Sequence, residues 1–165
     1  MTHYEVVPVG WVESELTERA QAPRQGDEGG PPAWLAFEPR VAEAIRDLRP
    51  GTEIIVLTWL DRADRNVLVT RPRDDPRNPM TGVFSTRSAD RPNPVGLHRV
   101  PVIAVEGLRV QVGGLEALDG TPVIDVKPVL DRIAERLEQY RGRHLAPTID
   151  TYVEDVFMVK LEVKP

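Results

Sequence analysis

The chain has 165 residues, a net charge of −5, 16 prolines, no cysteine and three scattered histidines, His3, His98 and His144. That length suits one domain with its own hydrophobic core, while the missing cysteines exclude disulfides, thiol nucleophiles and thiolate metal sites, and the histidines offer little to a metal centre. The acidity argues against a protein that coats nucleic acid unselectively; no apolar run nears the roughly 18 residues of a membrane span, and the start MTHYEVVPVG lacks a signal pattern, so a cytoplasmic protein is expected.

In chain order, residues 4–12 read as a first strand, followed by a polar stretch and then the Pro/Gly-rich loop APRQGDEGGPP over residues 22–32. That composition forbids regular structure and leaves backbone groups for other partners. After Trp34-Leu35-Ala36-Phe37, the spacing of Val41, Ala44, Ile45 and Leu48 predicts a helix stopped by Pro50-Gly51. Residues 53–60 are a β-branched apolar run and predict a central strand; residues 67–70 predict a short one.

The segment GVFSTRSADRPNPVGLHRV, residues 82–100, predicts strand, turn, strand, since its two X-Pro steps cannot stay in a regular ladder. A hairpin over residues 100–112 turns at Glu106-Gly107, and LDGTP leads into a strand over residues 123–126. Beyond it, apolar positions at helical spacing predict a helix over residues 129–139, and alternation predicts a half-buried strand over residues 153–163. Many short strands with few helices indicate a mainly β fold, a small antiparallel β-barrel with one or two peripheral helices. The expected division is a barrel over residues 1–128 and a C-terminal extension over residues 129–165, packed on the same domain or on a dimer mate.

Charge is uneven along the chain. Between residues 62 and 99 there are eight arginines against four aspartates, a local excess of +4 in a chain of net charge −5. Such a face suits an anionic ligand or an RNA, or else its arginines pair with neighbouring aspartates on a solvated loop. No dinucleotide glycine motif, phosphate loop, nucleophile elbow or His-Glu-x-x-His is present. Their absence favours an enzyme that works mainly by positioning two bound partners.

The sequence GVFSTRSADRPNPVGL, with LDGTPVIDVKP at residues 118–128 and PRQ at residues 23–25, resembles the TsaA-like TrmO family of S-adenosylmethionine-dependent methyltransferases. The resemblance covers about residues 4–128. It implies a TsaA-like barrel, a homodimer, S-adenosylmethionine as cofactor, and methylation of the exocyclic amine of threonylcarbamoyl-adenosine beside the tRNA anticodon. The cofactor would lie against Pro23, Arg24, Gln25, Leu60, Asp61, Arg87, Leu97, Asp119, Gly120, Thr121 and Pro122. Arg87 is suited to a bidentate grip on the methionine carboxylate, and Asp61 or Asp119 to ribose hydroxyls or the sulfonium charge. For Asp119 the alternative is plain turn chemistry, because Asp-Gly makes hairpin turns without any ligand.

The chain departs from the family pattern at four places: Thr52-Glu53-Ile54-Ile55 stands where longer members have a Ser-His-Leu-Trp run, Asp61 where they have histidine, His98 where they have serine, and Ala89-Asp90 where they have Pro-Phe. An acylated adenine amine must lose a proton on methylation, and Asp61, His98 or a water are the candidates to take it. A lone histidine beside a turn is, however, more often a surface residue. Arg71, Arg73, Arg77 and Arg91 are the candidates for tRNA phosphates. The alternative is a protein that senses S-adenosylmethionine or methylates a small molecule.

Overall fold

Period-two alternation in eight strands builds the fold of the computed structural model, which describes residues 4–129. In chain order the strands are β1 (Gly10–Glu13), β2 (Ala33–Phe37), β3 (Glu53–Trp59), β4 (Val69–Thr70), β5 (Thr81–Gly82), β6 (Val95–Glu106), β7 (Arg109–Val112) and β8 (Pro122–Pro128). Six of them close a barrel in the order β1-β2-β7-β6-β3-β8, every neighbour antiparallel, and β1 seals it by pairing with both β2 and β8. The mainly β reading and the barrel are thus observed. Strands β4 and β5 form a separate two-stranded ribbon.

The interior is filled by one face of each strand. Val12, Leu35, Ile54, Val56, Val100, Val102, Val110, Val112 and Val123 are all buried there, each worth roughly 1.5–3 kcal/mol relative to an exposed side chain. The predicted helix near residues 39–48 is shorter than its pattern suggests: a 3-10 turn at Pro39–Val41 leads into α1 (Ala42–Ile45), and the Leu48 N–H bonds back to the Ile45 carbonyl at 3.0 Å. Ile45 is buried, with Phe37, Val9, Val41 and Leu48 packed beside it, and Gly51 at φ 85° turns the chain into β3. This cluster plugs one end of the barrel with apolar side chains.

Two strand predictions need correction. The first strand spans only Gly10–Glu13, and residues 4–7 are exposed. Residues Val83–Ser85 form a 3-10 turn and no strand, because the carbonyls of that loop are drawn inward by Arg91. The hairpin at Glu106-Gly107 is observed, with Glu106 opposite Arg109 and Gly107 at φ 59°. The C-terminal helix and strand expected beyond residue 129 lie outside the described residues.

Candidate functional site

Beyond the end of β3 away from α1, loops frame a cleft of about 1510 Å³, whose lining continues along the exposed face of β6 to Arg99 and its partner Glu53. Sequence accounts for the opening. The segments leaving β3, entering β6 and entering β8 are rich in proline, glycine and charge, so they arch over the barrel end without filling it.

The cleft gathers Pro23, Arg24, Gln25, Leu60, Asp61, Arg87, Leu97, His98 and Thr121, together with Arg71, Arg73 and Arg91. It leaves Asp119, Gly120, Pro122 and Arg77 outside its lining. Asp119 serves the turn instead, for its Oδ1 accepts the Ser14 N–H at 3.0 Å while Gly120 turns the chain at φ 76°. The turn-chemistry alternative therefore describes Asp119, whose carboxylate fastens the loop to the end of β1.

Most rim arginines have partners within the chain. Arg73 bonds Glu28 at 2.6 Å and Arg24 lies 3.6 Å from Asp74, so two reciprocal ion pairs join the PRQ loop to the 71–78 loop. Both contributing residues of the latter loop, Arg73 and Asp74, have left-handed backbones, φ 59° and 53°, an uncommon conformation outside glycine. Arg71 donates to the Asn78 carbonyl at 2.7 Å, and Arg77 grips Asp75, holding that carboxyl below its ordinary range. Arg91 donates from Nε to Ser88 O at 2.7 Å and from one terminal nitrogen to Thr86 O at 2.6 Å and Val83 O at 3.1 Å. These bonds fold the signature loop onto itself. Arg87, exposed on the cleft wall, makes no hydrogen bond or ion pair among the described residues.

Asp90 ties the rim together. Its two oxygens each accept from Arg19 at 3.0 Å and one also accepts the Asp64 N–H at 2.9 Å. Burial alone would raise this carboxyl, but the guanidinium and the N–H outweigh it and hold it below its ordinary value.

The cleft floor is polar where the rest of the barrel is not. Thr58 on β3 and Gly96 on β6 are paired in register, with His98 one inward position along. His98 is 5% exposed, and its Nε2 and Nδ1 lie 2.9 Å from Thr58 Oγ1 and 2.8 Å from Glu116 Oε1. The expectation of a surface histidine is therefore wrong: alternation on β6 turns Gly96, His98, Val100 and Val102 inward together. Gly96 is demanded by space, since a Cβ there would overlap Thr58 Oγ1 and stand 2.7 Å from His98 Nε2. Glu116 was missed by sequence reasoning. Its signal was faint, one acid between Leu115 and Ala117, both buried.

Comparison with known proteins follows the same lines. Residues 11–134 match the family described as tRNA-methyltransferase O N-terminal domain. A probable S-adenosyl-L-methionine-binding protein of Methanothermobacter thermautotrophicus is 43% identical over 126 residues, which cover 76% of this chain and 90% of that protein. Another, from Archaeoglobus fulgidus, is 41% identical over 120 residues, 73% of this chain but 32% of the relative's length. A crystal structure of TrmO superposes with a TM-score of 0.64 at 32% identity, covering 80% of this chain and 59% of that one. A crystal structure of TrmO from Pseudomonas aeruginosa gives 0.65 at 29% identity, covering 81% of this chain and 58% of that one. The chain thus spans little more than half of each of these TrmO chains. The barrel, the signature loop and these likenesses agree, and the chain belongs to the tRNA-methyltransferase O N-terminal domain family.

Proposed function

We propose that this chain binds S-adenosylmethionine in the cleft and is a methyltransferase whose acceptor is the exocyclic amine of threonylcarbamoyl-adenosine beside a tRNA anticodon. The observation that carries the reading is Arg87, a guanidinium on the cleft wall with no partner among the described residues. A planar fork of that kind suits a carboxylate. Leu60, Leu97 and Ala117 give the same cleft apolar wall for a nucleobase, and Asp61 is an acid within reach of the space between them. The residues present fit the cofactor.

When bound, S-adenosylmethionine supplies a methyl group on a positively charged sulfur. The chain's own work is to bind, align and take a proton. Holding acceptor and donor in line provides about 7–11 kcal/mol of the barrier in well-oriented systems, so a site without a nucleophile is sufficient. Asp61 is the proton acceptor in this reading: its carboxylate lines the cleft and has no partner among the described residues. His98 is disfavoured for that role, because both ring nitrogens are already engaged by Thr58 and Glu116.

One observation favours a second acceptor class. Arg73, Arg77 and Arg91 are spent on partners within the chain, which weakens the expected phosphate-contacting surface. A small-molecule acceptor, or binding without transfer, would need no such surface. Salt separates the readings: tRNA affinity should fall steeply with salt under the first, and tRNA binding should be negligible under the second.

The reading includes a homodimer. Leu68, Val69, Met80 and Phe84, at or beside the β4–β5 ribbon, are 65%, 56%, 54% and 82% exposed, and a mate covering them would explain so apolar a surface near the cleft. Sedimentation at micromolar concentration should then give about twice the chain mass. The cofactor itself is tested by titration calorimetry. Arg87→Ala should weaken S-adenosylmethionine binding by about 1.5–3 kcal/mol through loss of a charge-assisted pair; unchanged affinity would remove Arg87 from the site.

A further inference from the structure

Glu116 is the acid on the cleft floor, and it is held unlike the three cleft acids that pair with arginine. Glu53, Asp74 and Asp90 each face an arginine, respectively Arg99, Arg24 and Arg19. Glu116 faces a histidine. Its backbone is pinned by Leu115 and Ala117, 0% and 3% exposed, and its side chain keeps 21% exposure toward the cleft.

The hydrogen-bond order along this group follows from what each atom can do. A carboxylate only accepts, so the 2.8 Å contact requires the proton on His98 Nδ1. In the neutral ring Nε2 then accepts, and the Thr58 hydroxyl donates to it across 2.9 Å. Thr58 is fully buried and His98 nearly so, which leaves the ring little freedom to turn. Glu116 Oε1 is therefore fixed from below by the His98 Nδ1–H.

The second oxygen is different. A Cβ on Gly26 would come within 2.9 Å of Glu116 Oε2, so this oxygen lies against the loop just after Pro23, Arg24 and Gln25. Oε2 has no hydrogen bond or ion pair among the described residues. A partly buried carboxylate with one oxygen unsatisfied is costly to keep unless something completes it, and a positive group does so best.

We infer that Glu116, oriented by His98, is a binding residue for the positive centre of the ligand in this cleft, so that the site prefers a cationic sulfonium nucleoside to the neutral thioether left after methyl transfer. The inference rests on the proposed function, in naming the ligand, and adds to it the residue that senses charge. Asp27 and Asp61, the cleft acids without a partner among the described residues, are both exposed on loops, where water screens them more. His98 is a positioning residue here; it acts only through the carboxylate.

The test is titration calorimetry with two probes, S-adenosylmethionine and S-adenosylhomocysteine, on the full chain and three variants whose melting is checked first. Glu116→Gln is isosteric and its amide oxygen can still accept from His98. It should lose about tenfold in affinity for the sulfonium and less than about twofold for the thioether. His98→Asn, whose amide N–H can replace Nδ1–H, should keep the wild-type preference, while His98→Leu should shift it in the same direction as Glu116→Gln. Equal losses for both probes would place Glu116 against a part they share and overturn the inference, as would no loss for either. If the wild-type chain binds neither probe, the proposed function fails and this inference with it; if it binds both and Glu116→Gln leaves their ratio unchanged, only the inference fails.

Discussion

The two ends of the barrel are built on opposite rules. Beside α1, Phe37 and Ile45 join Ile54 and Val102 in one apolar cluster, with Leu48 packed against it. At the other end the same strands, β3 and β6, turn Thr58, Gly96 and His98 inward, and the chain spends loops instead of side chains to cover them. One end stabilises the fold; the other holds polar groups in place and leaves room beside them. Strand pairing is common to both, so the difference lies in a handful of inward positions.

The largest effect expected from that comparison is at the apolar interior. Leu35 is fully buried, and Leu35→Ala should cost about 2–5 kcal/mol of stability, measured by chemical denaturation, while the protein that remains folded keeps its affinity for S-adenosylmethionine. Parallel loss of affinity would show that the two ends are not separable. Gly96→Ala comes next. The added methyl displaces Thr58 or His98, so stability should drop by about 1–3 kcal/mol and affinity should drop with it, the opposite pattern to Leu35→Ala.

The smallest effect belongs to the rim. Asp90→Asn removes the bidentate acceptor of Arg19, a pair half open to water, and should cost up to about 1 kcal/mol at neutral pH. The sign of its pH dependence follows from the folded carboxyl lying below its ordinary value of 3.8. The unfolded chain takes up this proton first, so the Asp90 contribution is complete above that value and disappears as pH falls through the folded one. Melting of the two proteins should therefore differ at pH 7 and converge in acid. A gap that persists in strong acid would assign it to packing.

What could be read from sequence was local. The β-branched run of β3 and the Glu106-Gly107 hairpin declared themselves because each rests on neighbours in the chain. The segment Val83–Ser85 did not: its β-prone side chains are overruled by Arg91, eight residues on, which gathers the carbonyls of the loop. Motif resemblance brought Arg87, Asp61 and the PRQ loop into consideration, and the cleft contains all of them. Glu116 and the inward turn of His98 needed the register of β3 on β6 and a contact across 18 residues, which no short stretch encodes. Arginine count also misled in part, because whether a guanidinium is free depends on acids brought near by folding, as Glu28 is to Arg73.

The central claim is that the polar end of the barrel, and not the apolar end, takes the cofactor. Amide chemical-shift mapping by nuclear magnetic resonance during titration with S-adenosylmethionine tests it most directly. The account predicts the largest perturbations at Gln25, Leu60, Asp61, Arg87, Leu97, His98 and Glu116, with Phe37, Ala44 and Ile45 unmoved. Saturable perturbations centred on α1 and Phe37, or none anywhere at millimolar ligand, would contradict it.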